Sequence, residues 1–139
     1  MFTRMKRLFL SLLFFCVAEY LYATTYVVDN LADPDDGLAY TAADGTNTLR
    51  KCIRLANANG VSPDVINFSV SGSINPGTNL PALTGGGITI DGSTAPGGYV
   101  ANTNLTGALN GTLRVSISFA TIALRISSDN NIIKGLNFR

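Results

Sequence analysis

The chain has 139 residues, enough for one domain, with 10 basic and 9 acidic residues, a net charge of +1 and no histidine. Three of the basic residues (Arg4, Lys6, Arg7) and one of the acidic ones (Glu19) fall within the first 23 positions, which leaves seven against eight and a net charge of −1 for the rest. That balance gives no electrostatic case for binding nucleic acid or an anionic membrane surface.

Residues 1–23 read as a secretory signal peptide. A basic start precedes the apolar run Leu8–Val17, which is short for a membrane span, and Leu21-Tyr22-Ala23 ends in a small residue suited to cleavage. Phe15 stands before Cys16, where lipoprotein processing wants a small side chain, so that route is rejected. Beyond residue 23 there is no glutamate, and Cys52 is the only cysteine, so this part holds no internal disulfide.

Tyr26-Val27-Val28 opens the remainder as a β-rich run. Residues 31–47 form a polar loop punctuated by Pro34, Gly37 and Gly45. With Asp29 before it, this region carries Asp33, Asp35, Asp36 and Asp44, an oxygen cluster that invites comparison with a calcium site. The spacing is not that of an ordered calcium loop, and a solvated, turn-rich loop is the preferred reading.

The stretch 48–59, TLRKCIRLANAN, predicts the one regular amphipathic helix. Leu49, Cys52, Ile53 and Ala56 recur at helical spacing and share a face; Arg50, Lys51 and Arg54 are expected on the other. Thr48 suits the N-cap. A capping box would place Glu or Gln at position 51, so Lys51 reads as a flaw in the cap, opposed to the helix dipole. Asn59-Gly60 suits a left-handed stop, with Pro63 beyond it. Cys52, on the apolar face, reads as a buried structural thiol.

After the helix the pattern is short strands and tight turns. Val65–Val70 predicts a strand broken by Ser71-Gly72, and Ser73–Thr78 a turn. Ile88-Thr89-Ile90 predicts a compact strand stopped by Asp91-Gly92. Leu113, Val115, Ile117 and Phe119 alternate along one side of a strand, and Ile122, Leu124 and Ile126 alternate again. Asn110-Gly111 is the one two-residue hairpin candidate. Short strands without hairpins or further helices suit a parallel solenoid, with a β-sandwich as the alternative.

Four segments in order resemble a known family. GTNTLRKCIRLANAN (45–59) resembles the SLRE/SLRQ segment that opens secreted bacterial β-helix proteins of the CSLREA type, and DVINF (64–68) resembles the strand after it. NLPALTGGGITIDGSTAPGG (79–98) and LRISSDNNIIKGLNF (124–138) resemble that family's TIDG stretch and a later coil. The resemblance covers nearly all of residues 24–139 and is weakest over 101–116. Lys51 departs from the family's Glu or Gln, Cys52 from its Ala, and Asn47 stands where a Cys-containing subset has cysteine, so that subset's disulfide is not expected. The resemblance implies a mainly β fold: a right-handed parallel β-helix with one N-terminal capping helix, divided into residues 1–23 (signal peptide), 24–60 (strand, polar loop and capping helix) and 61–139 (first coils).

Several residues are weighed as sites. Asp91 is a candidate catalytic carboxylate, but Asp-Gly after a strand is ordinary turn chemistry. Asp129-Asn130-Asn131 is a candidate ligand loop, but asparagine also suits left-handed turns. Arg114, Arg125 and Lys134 are candidates for an acidic polysaccharide, against the simpler role of solubilising strand charges. Tyr40 and Tyr99 are loop tyrosines able to stack on sugars. Asn67, Asn104 and Asn110 begin glycosylation triplets, which chance alone accounts for. No catalytic, cofactor-binding or metal-ligating residue is assigned, and no cofactor is expected.

The function expected is that of a secreted or cell-surface scaffold or adhesin-like β-helix protein without catalysis in this segment. The alternative is the capping region of a polysaccharide-active lyase or hydrolase. The partners expected are an extracellular polysaccharide or another surface protein, with no nucleic acid and no transmembrane anchor after signal removal. The chain is further expected to be a fragment, its uncapped C-terminal coil open to self-association.

Overall fold

The computed structural model describes residues 23–60, 63–104, 106–108, 110–118 and 124–139. The signal peptide expected over 1–23 lies outside these apart from Ala23, as do Phe119 and Ile122. Among the described residues no helix is long and apolar enough to cross a membrane.

Among the described residues the fold is two small parallel sheets and one α-helix. Strands β1 (Thr25–Val28), β2 (Asp64–Phe68), β4 (Ile88–Asp91) and β6 (Ile132–Lys134) form the first sheet in that order. Strands β3 (Gly72–Ile74), β5 (Val115–Ile117) and β7 (Leu136–Phe138) form the second. From β2 onward the chain visits the two sheets alternately, and every pairing of named strands is parallel. Leu83 and Ile126 make a further parallel bridge outside both sheets.

The register stacks like on like. Tyr26, Ile66, Ile90 and Ile133 occupy successive places across the first sheet, and Ile74, Ile117 and Phe138 across the second. Strand side chains alternate between faces, so one such row points inward from each sheet. Ile66, Ile90, Val115 and Ile117 are fully buried and form the centre of a single apolar core. Val65, Thr89 and Ser116, at the intervening positions, are half-buried.

Helix α1 (Leu49–Ala58) packs on β1 and β2 and closes that end of the core with Leu49, Cys52, Ile53 and Ala56, as the spacing predicts. Thr48 is its N-cap: its Oγ1 accepts from the Lys51 amide at 3.2 Å, satisfying one of the donors a helix start leaves free. Gly60 follows at φ 66, the left-handed stop expected there.

Three expectations are corrected. The break expected at Ser71-Gly72 does separate β2 from β3, but the turn expected over Ser73–Thr78 begins inside β3, since Ser73 and Ile74 pair with Ser116 and Ile117. Leu113, expected on the buried side of its strand, is largely exposed, because pairing with β3 starts only at Val115. Asn110-Gly111 makes no tight hairpin. It lies in a long excursion closed by an antiparallel bridge between Val100 and Thr112, where Asn110 Oδ1 accepts from the Thr103 and Asn104 amides.

Candidate functional site

The acidic loop is largely exposed and turn-rich, as expected, with Asp35, Asp36 and Asp44 accepting from the Gly37, Leu38 and Thr46 amides, and it is also a strap across the polar face of α1. Asp33, Asp35 and Asp36 meet Arg50, Arg54 and Lys51 in that order. Arg50 is bidentate on Asp33, with both bonds at 3.0 Å, and donates onward to the Asn79 and Thr78 carbonyls at 2.9 and 2.8 Å. Such forked charge-assisted bonds are the strong class. Arg54 holds Asp35 through two nitrogens and donates to the Leu38 carbonyl at 2.8 Å. The guanidinium bond keeps the Asp35 carboxyl below its ordinary range and raises Arg54 above its own.

Lys51 requires the largest correction. Expected on an exposed face as a faulty cap residue, it has a side chain only 1% exposed. Its Nζ donates to Asp36 Oδ2 at 2.9 Å and to Thr46 Oγ1 at 3.0 Å. The strap covers the start of the helix, so the side chain that cannot cap it crosslinks it to the loop instead. The Lys51 bond is the first cause holding the Asp36 carboxyl low.

The loop's remaining acids fold its two ends together. Asp29 accepts from the Asn47 amide at 2.8 Å, the Asn47 Nδ2 at 2.9 Å and the Gly45 amide at 3.1 Å. Asp44 accepts from the Thr46 amide and hydroxyl, the amide bond being the main reason its carboxyl titrates low. Asn47 Nδ2 also donates to the Thr41 carbonyl at 2.7 Å and to Asp44, while its buried Oδ1 accepts no bond. Among the described residues no three acidic, His or Cys side chains gather where a metal ion would sit.

Tyr40, weighed as a sugar platform, is built into the edge of the first sheet. Its hydroxyl accepts from the Val27 amide at 3.1 Å, and its ring stands edge-on to Tyr26 with centroids 5.3 Å apart. Tyr99 is exposed in its loop. Cys52 is buried, and that burial pushes its thiol up to about 12, so it stays protonated and inert.

Two residues considered separately in the sequence, Asp91 and Lys134, meet at 2.9 Å across the β4–β6 pair. Asp91 also accepts from the Ser93 amide at 3.0 Å, capping the short 3-10 turn at Gly92–Thr94. Burial raises its pKa, but the bonds from Ser93 and Lys134 outweigh this and leave it low. It is an ion-paired turn residue, as preferred. Gly92 is required there: a Cβ on it would strike the Gly135 carbonyl oxygen of the turn stacked above.

Asn130 takes the left-handed conformation at φ 60. Asn131 bonds between layers, Oδ1 accepting from the Ile88 amide at 3.0 Å and Nδ2 donating to the Ser128 carbonyl at 2.7 Å. Asn67 lies within β2, and Asn104 and Asn110 within the excursion loop. Arg114 Nε donates to the Gly98 carbonyl at 2.9 Å. Arg125 alone of the three weighed cations keeps a free side chain, lining a shallow cleft of about 170 Å³ with Asn79, Leu80 and Ala82.

No protein-family model, curated protein or solved structure matches the chain, and the family resemblance therefore rests on its four segments alone.

Proposed function

We propose that residues 24–139 form the capped N-terminal end of a secreted or cell-surface right-handed parallel β-helix, serving as a structural or adhesive scaffold without catalysis in this segment. What carries this reading is the engagement of seven of the eight aspartates beyond residue 23, Asp64 among them through Asn59 and the Thr24 amide; among the described residues Asp129 alone keeps a free carboxylate. Asp33, Asp35 and Asp36 hold the strap to α1, Asp29 and Asp44 close the loop, and Asp91 caps a turn and pairs with Lys134. A carboxylate bonded in this way serves geometry and is badly placed to move a proton to a substrate. The alternating visits to two parallel sheets, with Leu83 and Ile126 as a third contact line, support the coiled architecture. The order of the family-like segments supports it as well.

The second reading, the cap of a polysaccharide-active enzyme, draws on the free Arg125 guanidinium beside the Asn79–Ala82 cleft, which suits a sugar carboxylate. Both readings are tested together by incubating the protein with polygalacturonate and with neutral cell-wall glycan. The scaffold reading expects retention on one of them with the polymer length unchanged. Shortening of the polymer would contradict it. Secretion is tested by sequencing the N-terminus of protein recovered outside the cell, expected to begin at Thr24; folded external protein that still begins at Met1 would refute the signal peptide.

A further inference from the structure

We propose that the excursion between β4 and β5 is a binding arm for a uronate-bearing glycan, with Tyr99 and Arg114 as its contact residues. The proposal deepens the adhesive reading and rests on it for the class of partner. The arm itself is a feature of the fold.

The first observation is where the chain takes its extra length. Residues 69–71 carry it from the first sheet to the second after β2, and Gly135 alone does so after β6. At the same corner after β4 the crossing takes residues 92–114. No described residue from 96 to 114 is buried, so this length adds nothing to the core. A loop so long in a small domain is either disordered or there to serve a function.

The second is that the arm is built. At its start the Phe68 amide donates to Thr94 Oγ1 at 2.8 Å, and the Ser71 hydroxyl donates to the Pro96 carbonyl. At its return the Gly72 amide donates to the Arg114 carbonyl at 2.9 Å. Val100 and Thr112 exchange two backbone bonds of 3.1 and 2.8 Å. Beyond them Asn102 Oδ1 accepts from the Asn110 amide at 3.1 Å, and Asn110 Oδ1 from the Thr103 amide at 2.9 Å. An arm ordered beforehand has less freedom to lose on binding.

The third is what its root presents. The Val100–Thr112 bridge sets Tyr99 opposite Leu113, and the two are 42% and 43% exposed. Arg114 Nε donates to the Gly98 carbonyl, which holds the guanidinium at the residue before Tyr99, and its terminal nitrogens have no partner among the described residues. Arg114 is the only charged residue from 92 to 114. One cation among neutral amides and hydroxyls is too little for a nucleic acid backbone. A uronate fits both residues: its carboxylate suits the guanidinium fork, and the apolar face of its ring suits the tyrosine.

The test is titration of the full chain with polygalacturonate and with neutral dextran. The parent binds only the first, and less tightly as salt rises. Tyr99→Ala and Arg114→Gln each weaken binding by about tenfold. Tyr99→Phe keeps the ring and Arg114→Lys keeps the charge, so each recovers part of that loss, which damage to the fold would not allow. No binding to polygalacturonate, equal binding to both polymers, or parent-like binding by Tyr99→Ala and Arg114→Gln would overturn the arm. Loss of binding in Arg125→Gln with none in Arg114→Gln would also overturn it, and would leave the adhesive reading standing. Shortening of the polymer, with the two arm variants still weakened in binding, would contradict the adhesive reading and uphold the arm.

Discussion

The two outermost strands of the first sheet, β1 and β6, are both short and both rich in β-branched residues, yet their surroundings are opposite. At β1 the outward Val27 amide is bonded to Tyr40, the Asp29 and Asn30 amides are bonded to the Asn47 carbonyl, and α1 lies over the core. At β6 the residue pointing outward is Ile132, more than half exposed, and the strand beyond it across the turn, β7, is likewise an edge. Among the described residues, the difference lies in what packs beside each strand. Some thirty residues are devoted to closing β1, and three ion pairs hold them in place. Stability is therefore expected to be graded, highest around β1, α1 and β2 and lowest at β6 and β7.

The largest effect is expected from breaking the closed end at its centre. Ile53→Asp places a carboxylate among completely buried apolar side chains and should cost more than about 4 kcal/mol, read as loss of cooperative unfolding by circular dichroism. Lys51→Glu comes next. If position 51 were only a capping position, glutamate would stabilise; because Lys51 is buried against Asp36, glutamate there sets two carboxylates together, and the melting temperature should fall by more than about 10 °C. An unchanged or higher melting temperature would show that the strap does not depend on this pair.

Gly135→Ala probes the junction between the two ends. Gly135 has φ 68, and a Cβ on it would strike the Ser93 amide, so a loss of about 1–3 kcal/mol is expected in urea titration. Acid should act most at the strap, where several lowered carboxylates gather, and less at the single Asp91–Lys134 pair. Asp35 and Asp36 have folded pKa values lowered by Arg54 and Lys51, so their contribution is complete above the unfolded value near 4 and disappears as pH falls through the folded ones. Thermal stability should hold from about pH 7 to 5 and drop below about 4, with a shallower drop in an Asp35→Asn/Asp36→Asn double variant. The smallest effect belongs to the open edge: Ile132→Ser should change stability by no more than about 0.5 kcal/mol, measured in dilute solution.

The helix, its cap and its stop were legible because each depends on residues within four positions of one another, and Leu49, Cys52, Ile53 and Ala56 mark one face unambiguously. Strands β2, β4 and β5 were legible from alternation and β-branched residues. The strap was not. Its bonds join residues 15 to 19 apart, and nothing in the run of aspartates between 29 and 44 says which cation each will meet. Lys51 was misread for a related reason: helical spacing identifies the apolar face but is silent on whether the polar face is also covered. The start of β3 was misread as a turn because Ser73 and Ile74 are too few to show alternation before Pro76-Gly77. The Asp91–Lys134 pair had no local signal, since only the register of β4 on β6 brings the two together.

The claim that one end of these sheets is closed and the other open is tested most directly by native-state hydrogen exchange in dilute solution, resolved by residue. The account predicts that the amides of β1, β2 and the interior of α1 exchange only through global unfolding, the Val27 amide included, while those of β6 and β7 exchange through small local openings. Equal protection of β6 and β2 in the dilute chain would contradict it.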